Sequence, residues 1–372
     1  MLIPAMEKNG YSRKFAAAVT AASSVIGPII PPSGIMIIYA YVMGESVAAL
    51  FLAGIVPGIL VGIGLMVVVR LMADRYDLPK AERIVSPGQE ISAVENWVSF
   101  ALIRINLAGL LMALSFGVSA LLGKYVGLDV AMGGWIAFLV FLPVAHVLLV
   151  RLRARVSRDF RVICKKAVAP LQTPIIILGG ILVGVFTPTE ASAVAVAYAL
   201  IIAFLVLRSM RVSDLPAILT RAALSSATVL LLVGAAVAFK TVVSLSHAPE
   251  HMAEFMLGLS SDPLVLLFVV GMFLDAGPAI IILGPILGPI FVDLGVHPVH
   301  FAIIMSVNLT VGLATPPMGL VLFVASSVSG EKVETISRAI LPFLAVEVVV
   351  IFLITYIPAI CMTIPRLTGF VQ

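Results

Sequence analysis

The chain has 372 residues, of which 61% are hydrophobic and only 11% are charged, and its mean hydropathy is +1.19. Soluble domains carry about 25% charged residues, so this composition excludes a soluble globular protein and indicates a polytopic membrane protein. The net charge of +4 is spread over short loops, which argues against a nucleic-acid surface. The two cysteines, Cys164 and Cys361, lie far apart, which argues against a disulfide or zinc framework.

Apolar segments of about 20 residues, the length that crosses a hydrocarbon core, follow one another along the chain. They predict an all-α polytopic membrane protein. In chain order these segments are 15–43, 47–72, 97–122, 130–150, 171–186, 191–207, 222–245, 263–292, 299–328 and 339–360. Pro-Pro interrupts two of them, 15–43 and 299–328, and 263–292 consists of two short arms.

The segments 2–34 and 287–319 are two diverged copies of one sequence. A constant offset of 285 residues (289 − 4) superimposes Pro4, Gly10, Gly27, Pro31, Pro32 and Gly34 on Pro289, Gly295, Gly312, Pro316, Pro317 and Gly319. Glycine and proline dictate backbone shape, so the repeat predicts an apolar helix that breaks at Pro-Pro and restarts in each copy. Paired broken helices in two halves of a chain point to the binding site of a secondary transporter.

Loop charges predict that the two copies have opposite orientations. Lysine and arginine favour the cytoplasmic side, and they cluster in 8–14, 70–83 and 151–166. The stretch 246–300 contains neither residue, so it is predicted to face outside. The first broken helix then starts inside and the second starts outside. This arrangement predicts an inverted-repeat, ion-transporter-type fold with a re-entrant hairpin and two broken helices.

The predicted hairpin lies upstream of the second copy, where two short apolar arms flank Asp275-Ala276-Gly277-Pro278. Neither arm is long enough to cross a membrane, and a re-entrant backbone is tolerated only where it lines a polar cavity. The counterpart in the first copy would fall near position −10 (275 − 285), before Met1. We therefore expect the chain to be N-terminally truncated and to lack the first hairpin.

These features divide the chain into five predicted regions. The C-terminal part of the first inverted repeat occupies 1–72, and a cytoplasmic amphipathic linker occupies 73–96. Two extra transmembrane spans follow at 97–152, and then a basic cytoplasmic loop at 153–169. The second inverted repeat, with its scaffold helices, hairpin, broken helix and last helix, fills 170–372.

Each helix break predicts a site for an ion and an anion. A helix broken in mid-membrane leaves unpaired carbonyls, which suit Na⁺, and unpaired N–H groups, which suit a carboxylate. The candidate binding residues are Ser23, Ser24, Gly27, Pro31, Pro32 and Ser33 at the first break and Asn308, Gly312, Thr315, Pro316, Pro317, Met318 and Gly319 at the second. Na⁺ ligands are expected at Ser24, Gly27, Asn308, Gly312 and Thr315. Two proline kinks with packing glycines are the structural alternative.

Other polar residues of the spans have a functional and a structural interpretation. Asp275 lies at the hairpin turn and is either a binding residue or the cap of the following half-helix. Glu190 follows Thr187-Pro188-Thr189 and is predicted to cap a helix that begins at Ala191. Three charged residues within a turn or two of loops or helix ends are expected to snorkel to the interface: Arg104, Lys240 and Glu347.

One enzyme motif occurs, in the segment 247–251. It has the sequence His-Ala-Pro-Glu-His, the H-x-x-E-H pattern of some zinc peptidases. Zinc binding there needs both histidines on one face of a continuous helix, and Pro249 in a loop argues against that. The sequence contains no Walker A motif, so nothing indicates ATP hydrolysis. We expect the chain not to be an enzyme.

Several sequence strings resemble the large membrane subunit (M subunit) of TRAP, or tripartite ATP-independent periplasmic, transporters. They are IPAMEKNGY, SSVIGPIIPPSGIMIIYA, GVFTPTEASAVAVAYAL, FLDAGPAIIILGPILGPI, LGVHPVHFAIIMSVN and GLATPPMG. The resemblance covers 1–96 and about 158–360, and its most specific motifs are TPTEA and the paired PPS and TPPMG. Residues 97–152 have no counterpart in the family pattern.

The resemblance implies a function, a location and partners. It implies Na⁺-coupled uptake of organic anions, such as C4-dicarboxylates or sialic-acid-like acids, by an elevator-type movement in the bacterial inner membrane. The implied partners are a small four-helix membrane subunit and a periplasmic substrate-binding protein, with Na⁺ as coupling ion and no cofactor. Two other hypotheses stay open: a truncated remnant that does not transport, and an intramembrane hydrolase that uses Asp275 or the histidines of 247–251.

Overall fold

The computed structural model describes residues 2–74, 76, 78–79, 91–126, 134–153, 155–156, 158–245, 276–316 and 319–371. Regular secondary structure within these residues is helical. The α-helices are α1 Leu2–Lys8, α2 Arg13–Ser24, α3 Ile26–Ile29, α4 Gly34–Met43, α5 Val47–Met72, α6 Ala93–Val126, α7 Gly134–Arg153, α8 Arg158–Leu182, α9 Pro188–Ile201, α10 Leu215–Leu245, α11 Ala276–Asp293, α12 Pro298–Gly312, α13 Leu320–Ser329, α14 Val333–Tyr356 and α15 Ala359–Leu367.

Several of these helices are long and apolar enough to cross a membrane. Within the described ranges they are α5, α6 over Ala93–Met112, α8 over Phe160–Leu182, α9 with its π-helical extension over Pro188–Val206, and α14. The pair α2–α3 and α4 adds one more span, which is bent by 40°. The chain is therefore an all-α, multi-pass membrane protein, as its composition predicts.

The chain divides into two compact units. One unit comprises 1–81 and 220–372 and holds both copies of the repeat, so we call it the repeat unit. The other comprises 82–219, and we call it the insert unit, because the chain leaves the repeat unit to form it and then returns. The repeat unit contains α1–α5 and α11–α15, and the insert unit contains α6–α9.

In the repeat unit, the same elements recur at the spacing of the sequence repeat. Helices α1 and α11 end 285 residues apart (293 − 8), and α2 and α12 begin 285 residues apart (298 − 13). Between them, Gly10 has φ +87° and Gly295 has φ +88°. This left-handed region is readily open only to glycine, so both copies make the same turn. The opposite orientation of the copies in a membrane stays a prediction.

The two copies pack against each other reciprocally. Helix α4 of the first copy contacts α11 of the second, and α13, the counterpart of α4, contacts α1. Likewise α2 contacts α13 while α12 contacts α4, and α2 contacts α14 while α12 contacts α5. Each of these contacts between the copies is thus matched by a contact of the counterpart helices. The copies therefore share one core, and both breaks belong to it.

Helix α12 lies at the centre of this core, since every residue from Val299 to Val311 is buried. The ring of Phe301 lies 5.3 Å from that of Phe291 and 6.3 Å from that of Tyr39, which belongs to the first copy. The rings of Phe15 and Phe343 lie 6.0 Å apart and join the copies in the same way. Helices in lipid gain little from the hydrophobic effect, so such packing contacts hold the copies together.

Helix α5 packs closely against the first break. A Cβ atom on Gly54 would lie 2.9 Å from the Ile29 carbonyl oxygen and 2.6 Å from the Met36 Cε atom. A Cβ atom on Gly58 would lie 2.4 Å from the Ile30 Cγ1 atom. Small residues let the backbones of membrane helices approach closely. These glycines therefore allow α5 to support the broken helix along its side.

The basic segment predicted as a loop at 153–169 is largely helical. Helix α7 continues to Arg153, and α8 already begins at Arg158. Arg158, Arg161 and Lys165 recur every three or four residues with apolar residues between them. That spacing gives an amphipathic helix with one basic face, which is why the loop prediction was wrong here.

The predicted last helix, 339–360, also differs from the structure. Helix α14 begins earlier, at Val333, and ends at Tyr356. Pro358 follows, and a separate helix, α15, covers Ala359–Leu367. Proline cannot donate a hydrogen bond to the preceding turn, so the chain ends one helix and begins another at this position.

Candidate functional site

The first candidate break separates α2–α3 from α4. Helix α3 ends at Ile29, and Ile30 is extended, with φ −76° and ψ 128°. A residue before proline is disfavoured in the α region, and proline has no N–H to continue a helix. Pro31 and Pro32 therefore end the helix, whereas Gly27, which was predicted to belong to the break, lies inside α3, one turn before Pro31.

Ser33 joins the two sides of the first break. Its hydroxyl accepts a hydrogen bond from the Met36 N–H at 3.2 Å and so caps the N-terminus of α4. The same hydroxyl donates to the carbonyl of Pro28 in α3. Ser33 is buried, so one side chain satisfies polar groups of both half-helices. The capping function was not part of the predicted ion site.

Ser23 and Ser24 lie on the last turn of α2. The Ser23 hydroxyl donates to the Thr20 carbonyl at 3.1 Å, and the Ser24 hydroxyl donates to the Ala21 carbonyl at 2.7 Å. Each hydroxyl donates its hydrogen to a carbonyl of its own helix. Its oxygen lone pairs remain able to accept a hydrogen bond or to coordinate a cation. Ser24 is exposed and Ser23 half-buried, so Ser24 is the more accessible of the two candidate ligands.

The second candidate break is a compact series of turns. The N–H groups of 313–315 each donate to the carbonyl three residues earlier, at 3.2, 3.0 and 3.1 Å. The Thr315 hydroxyl donates to the Val311 carbonyl at 2.9 Å. Gly312 ends α12 directly before these turns. The helix thus changes to tighter turns, with hydrogen bonds to the carbonyl three residues earlier, before it ends. The Thr315 hydroxyl lies on these turns, and its oxygen lone pairs can accept a hydrogen bond or coordinate a cation.

Gly319 brings the two half-helices of the second break into close contact. A Cβ atom there would lie 2.6 Å from the Leu313 carbonyl oxygen and 3.0 Å from that of Thr315. The Val321 N–H, in the first turn of α13, donates to the same Leu313 carbonyl at 3.1 Å. At Gly34, the counterpart in the first copy, a Cβ atom would meet nothing within 4 Å. The two breaks therefore differ at this position: Gly319 is closely packed against the preceding half-helix, whereas Gly34 has free space around it.

Asn308 lies one turn before the end of α12 and is buried there. Ser306 and Thr310 flank it and are also buried, and the Thr310 hydroxyl donates to the Ser306 carbonyl at 2.6 Å. Ser306 and Thr310 are each two residues from Asn308, so their side chains point to other faces of the helix. The Asn308 amide oxygen, close to a helix end within the apolar core, is a neutral oxygen of the kind expected of a Na⁺ ligand.

A cavity of about 450 Å³ lies between the end of α2 and the second break. Its lining comes from α1, from the end of α2, from the second break and from α13. Thr20 and Ser24 of the first copy and Leu313 and Leu320 of the second all line it. The structure therefore brings Ser24 together with the turn of the second break. Asn308 and Thr315 are not among the residues that line this cavity.

Some predicted site residues lie outside the described part of the chain. Asp275, Pro317 and Met318 are three of them, and the segment 247–251 is another. Pro316 is described and half-buried. Helix α11 begins at Ala276, inside the predicted hairpin turn 275–278, so the last three residues of that turn are helical. The roles of Asp275, Pro317 and Met318 therefore stay predictions.

Thr187 and Glu190 form a helix cap rather than part of either break. The Thr187 N–H donates to the Glu190 carboxylate at 2.8 Å, and the Glu190 N–H donates to the Thr187 hydroxyl at 3.3 Å. This is a capping box. The helix begins at Pro188 rather than at Ala191, because proline is well suited to the first helical position. Thr189 accepts a hydrogen bond from Ser192 through its carbonyl.

Glu347 was predicted to snorkel to the interface, and that prediction was wrong. It lies within α14 and is fully buried. Neither carboxylate oxygen has a hydrogen-bond partner among the described residues. An ionisable side chain at such a position is costly and functional by default. The signal in the sequence was the apolar run on both sides, Leu-Ala-Val before it and Val-Val-Val after it.

His297 caps the start of the second broken helix. Its Nδ1 atom accepts a hydrogen bond from the Val299 N–H at 3.2 Å, which requires that nitrogen to be unprotonated. Burial lowers the pKa of His297, and the positive charge of Arg366 lowers it further. Both effects favour the neutral imidazole that the cap needs.

Comparison with protein families gives one match that covers nearly the whole chain. The family described as the DctM component of the tripartite ATP-independent periplasmic transporter matches residues 1–360.

Individual relatives agree with this match. The chain is 34% identical to an isethionate TRAP transporter permease protein, DctMQ, of Oleidesulfovibrio alaskensis, over 97% of the chain and 47% of that protein. It is 31% identical to a C4-dicarboxylate TRAP transporter large permease protein of Pseudomonas aeruginosa, over 99% of the chain and 71% of that protein. It is 30% identical to a sialic acid TRAP transporter large permease protein of Vibrio cholerae, over 98% of the chain and 70% of that protein. The chain thus spans about half of the first relative and about 70% of the other two.

Proposed function

We propose a function from one premise: this chain belongs to the DctM family of tripartite ATP-independent periplasmic transporters. Members of this family are transporter permeases rather than enzymes, and the chain is a multi-pass membrane protein. We infer that it imports a small organic anion across a bacterial inner membrane, driven by Na⁺. A periplasmic binding protein would deliver the anion, and a small four-helix membrane subunit would complete the permease.

The observation that carries this proposal is a cavity where the end of α2, which leads into the first break, meets the second break. Helix α13 restarts there, and its N-terminus carries a partial positive charge that favours an anion. The carbonyl ends of α2–α3 and α12 carry the opposite partial charge, which favours a cation. An organic anion and Na⁺ therefore find complementary charges in one place, as in other secondary transporters.

The substrate class follows from the relatives and from this charge pattern. The relatives are named for isethionate, C4-dicarboxylates and sialic acid, which are all small organic acids. A carboxylate or sulfonate suits the N–H groups of a half-helix, because these groups donate several hydrogen bonds to an anionic oxygen. We therefore place the substrate among small carboxylates and sulfonates.

The Na⁺ ligands that we propose are Ser24, Asn308 and Thr315, together with carbonyls near Gly27 and Gly312. Ser24 and Thr315 keep lone pairs after their hydrogen bonds to the helix backbone. Asn308 is buried one turn before a helix end. An elevator-type movement would carry this group of ligands across the membrane, because both breaks belong to the shared core of the repeat unit.

Uptake in proteoliposomes tests the proposed function. The chain is reconstituted with its small subunit and its binding protein, and labelled C4-dicarboxylate, sialic acid and C2-sulfonate are offered separately. We expect at least one acid to accumulate under an inward Na⁺ gradient and not under a matched K⁺ gradient. Equal accumulation under both gradients would contradict Na⁺ coupling. If none of the acids accumulates, the proposed substrate class is wrong.

A further inference from the structure

The insert unit contains a cavity of about 720 Å³, which lies between α6, α7 and α8. Five basic side chains line it: Arg104, Arg153, Arg158, Arg161 and Lys165. No carboxylate is among its lining residues. Like charges gathered around one space repel each other, and a bound anion relieves that repulsion. The cavity therefore has the charge of an anion site.

The hydrogen bonds of these cations within the described ranges go to neutral groups. Arg104 donates to the His146 Nδ1 atom at 3.0 Å and to the Phe100 carbonyl at 2.8 Å. Lys165 donates to the Asn96 side-chain oxygen at 2.5 Å, and Arg161 donates at 3.4 Å to the Arg153 carbonyl. These bonds orient the cations and do not neutralise them. Each guanidinium keeps further N–H donors, which can hold a phosphate in a bidentate manner.

The remaining walls of the cavity are apolar, which sets this site apart from a site for a free ion. Phe100 and Phe160 contribute aromatic rings, and Leu149, Leu152 and Val168 contribute aliphatic side chains. A small hydrophilic anion gains nothing from such walls, whereas a molecule with an anionic head and hydrocarbon chains fits both parts. The ligand class is therefore an anionic amphiphile.

The cavity also lies at the end of membrane-spanning helices. Both α6 and α8 are long and apolar enough to cross a bilayer, and the basic residues lie near the start of α8 and the end of α7. Basic ends of spans favour the cytoplasmic leaflet, where anionic lipid headgroups gather. A basic pocket between spans on that side is a known setting for such headgroups.

We propose that this cavity binds an anionic phospholipid of the cytoplasmic leaflet. The basic side chains hold the phosphate of the headgroup, and the apolar walls hold the first part of the acyl chains. The site is built from residues 100–168 and contains no residue of either helix break, so it is distinct from the proposed transport site.

The test measures lipid binding by the purified full-length chain in detergent. Thermal stability and native mass spectra are recorded with phosphatidylglycerol, cardiolipin, phosphatidylcholine and inorganic phosphate. We expect the two anionic lipids to bind and to raise the melting temperature. Phosphatidylcholine and inorganic phosphate are expected to do neither. Equal stabilisation by phosphatidylcholine, or stabilisation by inorganic phosphate alone, would overturn the proposal.

A pair of charge variants assigns the effect to the cavity. Replacing both Arg158→Gln and Arg161→Gln should weaken anionic lipid binding about tenfold or more, because each lost charged hydrogen bond costs roughly that factor. The matched control replaces Arg151→Gln and Arg155→Gln, which removes the same charge from the same segment outside the lining. If both pairs weaken anionic lipid binding equally, net charge rather than the cavity accounts for the binding.

A third variant keeps the test decisive if the charge variants fold poorly. Val162→Trp fills the cavity and leaves all five cations in place. We expect it to lose bound phospholipid while it remains folded, as judged by gel filtration and helical content. Undiminished phospholipid binding in this variant would show that the acyl chains do not occupy the cavity.

Discussion

Thr315 and Asn308 place neutral oxygens beside the second helix break. If they bind Na⁺, replacing Thr315→Ala or Asn308→Ala should raise the Na⁺ concentration for half-maximal uptake about tenfold, because one lost polar ligand costs about 1–3 kcal/mol. The control is Thr310→Ala, whose hydroxyl bonds within α12 to the Ser306 carbonyl. Sodium activation curves in proteoliposomes provide the measurement. Unchanged curves in both variants would remove Thr315 and Asn308 from the site.

Glu347 is a buried acid without a described hydrogen-bond partner, so its ionised form costs free energy in the folded state. Replacing Glu347→Met, with similar volume and no charge, should raise the melting temperature by a few degrees, since exchanging a buried ionic group for a packed apolar one is worth up to about 1–4 kcal/mol. Glu334→Met, at the exposed start of the same helix, should change little. A lower melting temperature for Glu347→Met would reveal a stabilising partner, such as a bound cation.

The residues of the candidate site were only partly predictable. The hydroxyls and amides could be found because they lie beside Pro-Pro in both copies. The two hydrogen bonds of the Ser33 hydroxyl, to Pro28 and to Met36, could not be predicted, because they depend on how the extended segment folds back over α3. The apolar residues on both sides of Glu347 indicate a position within a span, but they cannot show that the side chain is buried, because burial depends on which helices surround it.

At the level of elements, the two breaks differ in how closely their half-helices approach. Gly319→Ala should destabilise the second break, because its Cβ atom would lie 2.6 Å from a backbone carbonyl oxygen that cannot move freely. We expect a loss of about 1–3 kcal/mol, the usual cost of overpacking. The counterpart Gly34→Ala should be tolerated, since its Cβ atom meets open space. Melting temperatures of the two variants check this, and equal losses would contradict the difference between the breaks.

Element boundaries followed the sequence where proline and glycine act locally. Ile30 is extended because Pro31 follows it, and Gly44 and Gly330 end α4 and α13 in the left-handed conformation. The start of α8 was not predicted to be helical, because its high charge density is typical of a loop, although its charges recur at helical spacing. Periodicity was the better guide there.

For the whole molecule, the predicted orientation can be measured by thiol labelling. In a background with Cys164→Ser and Cys361→Ser, we expect a membrane-impermeant reagent to label Glu250→Cys in intact spheroplasts. Arg155→Cys should be labelled only after permeabilisation, because the basic segment is predicted to be cytoplasmic. Labelling at position 155 and none at 250 in intact spheroplasts would reverse the orientation.

Membership of the family was predictable from short strings such as TPTEA and TPPMG, since these motifs determine backbone geometry at a helix cap and at the second break. The division into a repeat unit and an insert unit was not predictable in the same way. It depends on contacts between segments far apart in the chain, such as α4 with α11 and α2 with α14. A sequence repeat shows that counterpart helices exist, but tertiary packing determines which helices contact each other.

During synthesis, the first broken helix is complete long before the second, which it contacts in the folded protein, has been made. Helix α4 leaves the ribosome about 285 residues before its counterpart α13 (319 − 34), and at about 5–20 residues per second this takes roughly 15–60 s. Throughout that interval, a span with an interrupted backbone resides in the bilayer with α5 beside it but without the second-copy helices that contact it in the folded protein. We therefore expect α2–α4 to need protection by the insertion machinery until the second copy has been made.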